Sequence, residues 1–180
     1  MKIALTVGHS ILKSGAITSA DGTRFGGGNE YKFNKTFSKY LSKALRKNGH
    51  EVDVVICPEK KFTKSTQEKN YKLDIVNDEE NAYDLIIELH LNASDNSNAK
   101  GAEVLYISEK GEAYAKRVQA NLSKVFDNRG IKLRTNLYML SQTKPVCIML
   151  ETYFCTNKKE WHYARLHKGY LAKLIADGIG

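Results

Sequence analysis

Leu85-Ile86-Ile87-Glu88-Leu89-His90 is a mostly apolar run that ends on an imidazole. Two other stretches share that form. Ile3-Ala4-Leu5-Thr6-Val7 stands one glycine ahead of His9, and Val146-Cys147-Ile148-Met149-Leu150 leads directly into Glu151. Short apolar runs with polar punctuation read as buried strands. Chain direction then places His9, His90 and Glu151 at the carboxyl edge of one sheet. That edge is where open α/β sheets build their sites.

Working outward, strands are expected near 2–7, 51–56, 84–91, 102–107 and 145–151, with a weaker one near 137–140. Helical patterns lie between them. The clearest runs from about Glu30 to Lys47, where Phe33, Phe37, Leu41, Ala44 and Leu45 form one apolar stripe. Asn29 suits its N-cap, and Asn48-Gly49 its stop. Glu30 therefore opens the helix at the mouth of the site. Helices are also expected near 66–81, where the stripe is only partial, near 111–127 and near 159–178. Alternating strands and helices predict an α/β fold. It would be a single domain, with a mostly parallel or mixed twisted sheet of about six strands and helices on both faces. The loops 13–28 (ending Gly26-Gly27-Gly28) and 92–101 would rim a cleft, and the first of them is not expected to pack against a core.

The chain has 180 residues, 42% of them hydrophobic and 27% charged, as in ordinary globular domains. No apolar run reaches the ~20 residues that span a bilayer, so membrane insertion is not expected. Met1–Val7 reads as a strand rather than a signal peptide, which predicts synthesis in the cytoplasm. Three cysteines without a CxxC do not make a disulfide framework. The net charge of +8 fits nucleic acid, an anionic wall polymer or a plain lysine-rich surface. The lysines are scattered rather than striped, so nucleic acid is not an expected partner.

A lone histidine beside a strand end is more often structural than a ligand. The conjunction of His9, Glu30, His90 and Glu151 changes that reading. Two imidazoles, a carboxylate and a spare carboxylate are the components of a catalytic zinc centre with an open water position. Glu88 shares His90's face of its strand and reads either as a partner for an imidazole N–H or as polar packing. His50, His162 and His167 read as surface residues, and Ser10 as loop. Cys155 near His162 lacks a third, orienting group.

These motifs resemble the zinc-dependent N-acetylmuramoyl-L-alanine amidases of bacterial cell-wall hydrolases and phage endolysins. The likeness rests on Val7-Gly8-His9, Asn29-Glu30, His90-Leu91-Asn92-Ala93, Gly101-Ala102-Glu103 and Glu151-Thr152-Tyr153-Phe154-Cys155-Thr156-Asn157, in that order along the whole chain. It implies one Zn²⁺ per chain, held by His9, Glu30 and His90, with Glu151 as general base. Asn92 would orient a ligand or bind substrate. The bond cut would join N-acetylmuramic acid to the L-alanine of the stem peptide. Bacterial peptidoglycan is the implied partner, and anionic wall polymers are a further candidate. Three departures from the pattern, Ser10, Glu88 and Tyr153, are expected to reshape the cleft. Two alternatives stay open: a zinc peptidase acting on stem-peptide cross-links, and a non-enzymatic basic binding module. An endolysin would be made in the host cytoplasm and released to the wall. Such proteins often carry a wall-binding domain after the catalytic one, so residues 1–180 also fit an excised catalytic domain.

Overall fold

Six strands form one sheet in the computed structural model, which describes all residues from Met1 to Gly180. They are β1 (Lys2–Val7), β2 (Glu51–Val55), β3 (Leu85–Asn92), β4 (Ala102–Tyr106), β5 (Asn128–Leu133) and β6 (Val146–Phe154), in the order β2-β1-β3-β6-β4-β5. Pairing is parallel throughout except between β4 and β6. The sheet is therefore mixed. The carboxyl edge of β1, β3 and β6 is also the edge where β4 and β5 begin.

Helices α1 (Glu30–Lys47), α2 (Ser65–Asn77), α3 (Glu109–Leu122), α4 (Tyr138–Ser141), α5 (Lys158–Leu166) and α6 (Lys168–Ile179) complete the α/β fold. Side chains alternate across a strand, so the apolar runs bury both faces. Ile3, Leu5, Leu85, Ile87, Ile148 and Leu150 share the larger core with α1, α3 and α6. Ala4, Ile86, Cys147 and Met149 meet Val76 of α2 and Met139 and Leu140 of α4 on the other face. Helix α1 forms as its stripe predicts: Phe33, Phe37, Leu41 and Leu45 are buried, and the Asn29 side chain accepts from the Lys32 N–H.

The structure corrects several boundaries. Residues 138–141 are helix α4, not a strand, because Met139 and Leu140 pack as one turn against the second core. The sixth strand is β5 instead. It is an edge strand with no fully buried residue, so its Asn-Arg-Gly-Ile-Lys-Leu sequence carries no apolar run. The helix expected over 159–178 breaks at His167. The break shifts the phase, leaving Leu166 and Tyr170 exposed while Leu171, Leu174 and Ile175 are buried. Strand β6 runs three residues past Glu151, so that carboxylate lies within the strand. No helix is long and apolar enough to cross a membrane.

Candidate active site

His9 is the second residue past β1. Its backbone sits in the left-handed region at φ 67°, which turns the side chain back over the sheet edge. Gly8 makes room for it. The Gly8 N–H bonds to the Leu89 carbonyl at 3.0 Å, and a Cβ on Gly8 would lie 2.3 Å from His90 Cε1. Only glycine allows that approach of backbone to imidazole. Glu30 is the first residue of α1, where the helix dipole favours a carboxylate. Its Oε2 accepts from the Ala20 N–H at 3.1 Å, and its Oε1 from the Leu91 N–H at 3.0 Å.

These supports bring three expected residues together. His90 Nδ1 lies 2.9 Å from Glu30 Oε1, and His9 Nε2 lies 3.3 Å from Glu30 Oε2. The two imidazoles stand edge to face, 4.9 Å between centroids. One donor atom from each of the three residues lies within 4.8 Å of the others. Two imidazole nitrogens and a carboxylate oxygen at that spacing suit a first-row divalent ion, so the residues present fit a metal. Without one, burial would raise the Glu30 carboxyl, but the two histidines hold it well below the usual carboxylate range. Burial would lower His90, but the carboxylates of Glu88 and Glu30 push it up to about 10. Those carboxylates favour the protonated ring, whereas a metal binds only a deprotonated ring nitrogen.

Glu151 pairs in register with His90 on β3 and with Glu103 on β4, so the three form one row across the sheet. Its Oε2 is buried without a hydrogen-bond partner. Burial, reinforced by the nearby carboxylates of Glu30, Glu103 and Glu88 against the pull of His90, pushes Glu151 up to about 8. That has a consequence for stability. The unfolded chain releases this proton near 4.5, so the contribution is complete below that pH and is lost as pH rises toward 8. The cost at high pH is on the order of a few kcal/mol. Accordingly, the metal-free Glu151→Gln variant should melt several degrees above the metal-free parent at pH 9 and level with it near pH 4. Parallel melting curves across that range would refute this account of Glu151.

Asn92 lies farther along the same edge. Its side-chain amide donates to Glu103 Oε1 at 3.3 Å, and Arg129 Nε donates to Glu103 Oε2 at 3.4 Å. Both Glu103 and Arg129 come from strand beginnings; the antiparallel step between β4 and β6 sets Glu103 beside Glu151, and Arg129 reaches Glu103 from β5.

The three departures from the family pattern do not line the cleft, because all are buried. Tyr153 is packed among Phe33, Phe126 and Trp161. The Ser10 hydroxyl donates to Glu68 of α2, whose Oε2 also accepts from Thr18 Oγ1 at 3.0 Å. Glu88 lies beneath His90 and pairs with Lys72 of α2. Sequence reasoning had not singled out Glu68 and Lys72. Their signal was present: Glu68, Lys72 and Val76, at i, i+4 and i+8, are the buried face of α2.

The loop 13–28 also differs from expectation, because it packs closely. The Gly28 N–H reaches the Cys155 carbonyl at 3.2 Å, and a Cβ on Gly27 would sit 1.8 Å from that same oxygen. An Arg24–Asp95 ion pair ties this loop to the 92–101 loop. Cys57, Cys147 and Cys155 are free and buried. Burial pushes the Cys155 thiol up to about 12, which leaves no activated sulfur nucleophile there.

This arrangement has relatives. The catalytic domain of the CD27L endolysin, described as targeting Clostridia Difficile, is 51% identical, covers 99% of this chain and 96% of its own, and superposes with a TM-score of 0.93. The catalytic domain of CwlV, an N-acetylmuramoyl-L-alanine amidase from Bacillus (Paenibacillus) polymyxa var. colistinus, shares the fold at 21% identity and a TM-score of 0.77, with 99% and 96% of the two chains covered. The probable cell wall amidase LytH of Staphylococcus epidermidis is 28% identical over 98% of this chain and 56% of its own length. The chain spans about half the length of the curated relatives it matches. The family model for N-acetylmuramoyl-L-alanine amidase matches residues 3–180. With nearly every residue covered, the chain belongs to the N-acetylmuramoyl-L-alanine amidase family.

Proposed function

We propose that the chain hydrolyses the amide between N-acetylmuramic acid and the first L-alanine of the stem peptide in bacterial peptidoglycan, as the catalytic domain of a phage endolysin. The observation that carries this reading is the His9–Glu30–His90 group, set beside a buried carboxylate oxygen that has no partner. The 51% identity to an endolysin catalytic domain supports the substrate and the setting.

His9, Glu30 and His90 would hold one zinc ion. Zinc supplies Lewis acidity there, polarising the scissile carbonyl and making water a competent nucleophile near neutral pH. The chain's own residues do the remainder. Glu151 takes the proton of the attacking water on its unpartnered Oε2 and delivers it to the departing alanine amine. Burial makes that carboxylate a stronger base than a solvated one. Asn92 orients substrate at the same edge, next to Glu103 and Arg129. Glu88 lies under His90 as its outer partner. Exposed lysines among the net charge of +8 favour an anionic wall surface.

The test is release of new amino groups from purified peptidoglycan, with chelator and then with zinc restored. N-terminal alanine that disappears on chelation and returns with zinc is the expected result. Release of other amines would instead establish a cross-link peptidase, and no release from any wall type would refute the enzymatic reading of this domain.

A further inference from the structure

Helix α2 carries a buried face that begins with two charged residues, Glu68 and Lys72, one turn apart. Lys72 is 1% exposed and Glu88 is fully buried, and the lysine Nζ contacts Glu88 Oε1. The centre of the Tyr138 ring lies 5.3 Å from that Nζ. The second carboxylate oxygen, Glu88 Oε2, is buried with no hydrogen-bond partner, 3.6 Å from His90 Nε2. That separation is too long for a hydrogen bond, but the oxygen directly faces the imidazole.

His90 turns its other nitrogen, Nδ1, toward Glu30 Oε1 at 2.9 Å, which is the side of the proposed metal ligands. A histidine that ligates through Nδ1 carries its proton on Nε2, and that N–H needs an acceptor. Glu88 Oε2 is placed to be that acceptor. A carboxylate on a strand can swing about its side-chain torsions, and one of its oxygens must be pinned before the other can aim. Lys72 pins it. Burying two charges is costly, so an apolar pair at 72 and 88 would have filled the same space at less cost. The retained charge is directed at the metal site.

We propose that Lys72 is a positioning residue for the metal centre, fixing the Glu88 carboxylate so that it orients the His90 imidazole. The proposal rests on the reading of His9, Glu30 and His90 as metal ligands. It extends that site by one layer, into helix α2, which supplies none of the three candidate metal donors.

The test is zinc affinity of the intact chain, measured by competition with a chromophoric chelator, together with the visible absorption of the Co²⁺-loaded protein. Glu88→Gln and Lys72→Met should each weaken zinc binding about 10–100-fold and shift the Co²⁺ bands. The double variant should be no weaker than the poorer single one, because both act along one line. If Lys72→Met does not fold, Glu88→Gln carries the comparison with the parent, and Lys72→Arg, which keeps the charge, should bind zinc more tightly than Glu88→Gln. Affinities within twofold of the parent, with an unchanged Co²⁺ spectrum, would overturn the proposal while leaving the ligand assignment intact. A parent protein that fails to take up zinc stoichiometrically would overturn both.

Discussion

Glu151→Gln should retain one zinc ion per chain and lose about 10²–10⁴-fold in turnover on peptidoglycan, the usual worth of a positioned general base. Glutamine fills the same space between His90 and Glu103, so the row across β3, β6 and β4 keeps its packing. The metal donors are not among the atoms changed. What disappears is a carboxylate oxygen that the fold buries and leaves without a partner. An amide there cannot take a proton from water at any working pH. The loss should therefore fall on kcat rather than on substrate binding. Parent-level turnover in the folded variant would remove Glu151 from the mechanism. A variant emptied of zinc would move it into the ligand set instead.

His90→Ala should abolish both stable zinc binding and activity. It deletes one of the three proposed donors, so the drop in affinity should exceed the ~10–100-fold expected from losing an outer partner. It also removes a neighbour from two carboxylates: Glu30 Oε1 loses the imidazole 2.9 Å away and keeps the Leu91 N–H, and Glu88 loses the nearby ring and keeps Lys72. Zinc content after dialysis is the direct readout. One ion per chain in the variant would strike His90 from the ligands. Far-ultraviolet circular dichroism separates loss of metal from loss of fold, and His9→Ala provides a second deletion that leaves the Glu88 contact in place.

The sequence made one side of this site much plainer than the other. Apolar runs ending in His90 and Glu151, and a capped helix opening on Glu30, follow from periodicities of two and 3.6 residues. The structure brings one donor atom from each of His9, Glu30 and His90 within 4.8 Å of the others. Periodicity fails where a buried face is charged. Helix α2 shows only a partial apolar stripe because Glu68 and Lys72 occupy two of its three buried positions. It fails again where the chain reverses. Glu103 and Arg129 stand at strand beginnings, and only the antiparallel step from β6 to β4 brings beginnings and ends to one edge. Strand β5 was missed because an edge strand can stay polar and still pair. Tyr153, two residues past Glu151, would share its face in a regular strand. The β3–β6 register slips by one residue between Glu151 and Phe154, and this bulge shifts the phase, so Tyr153 packs in the aromatic core instead.

The free thiols of Cys57, Cys147 and Cys155 lie out of contact with solvent, and burial raises all three well above the ordinary thiol range. No bridge between them contributes to the fold, and little thiolate is available for an oxidant to attack. The covalent structure is therefore the same in a reducing and in an oxidising medium. A domain built this way needs no isomerase to pair its cysteines and no reductant to keep a disulfide open.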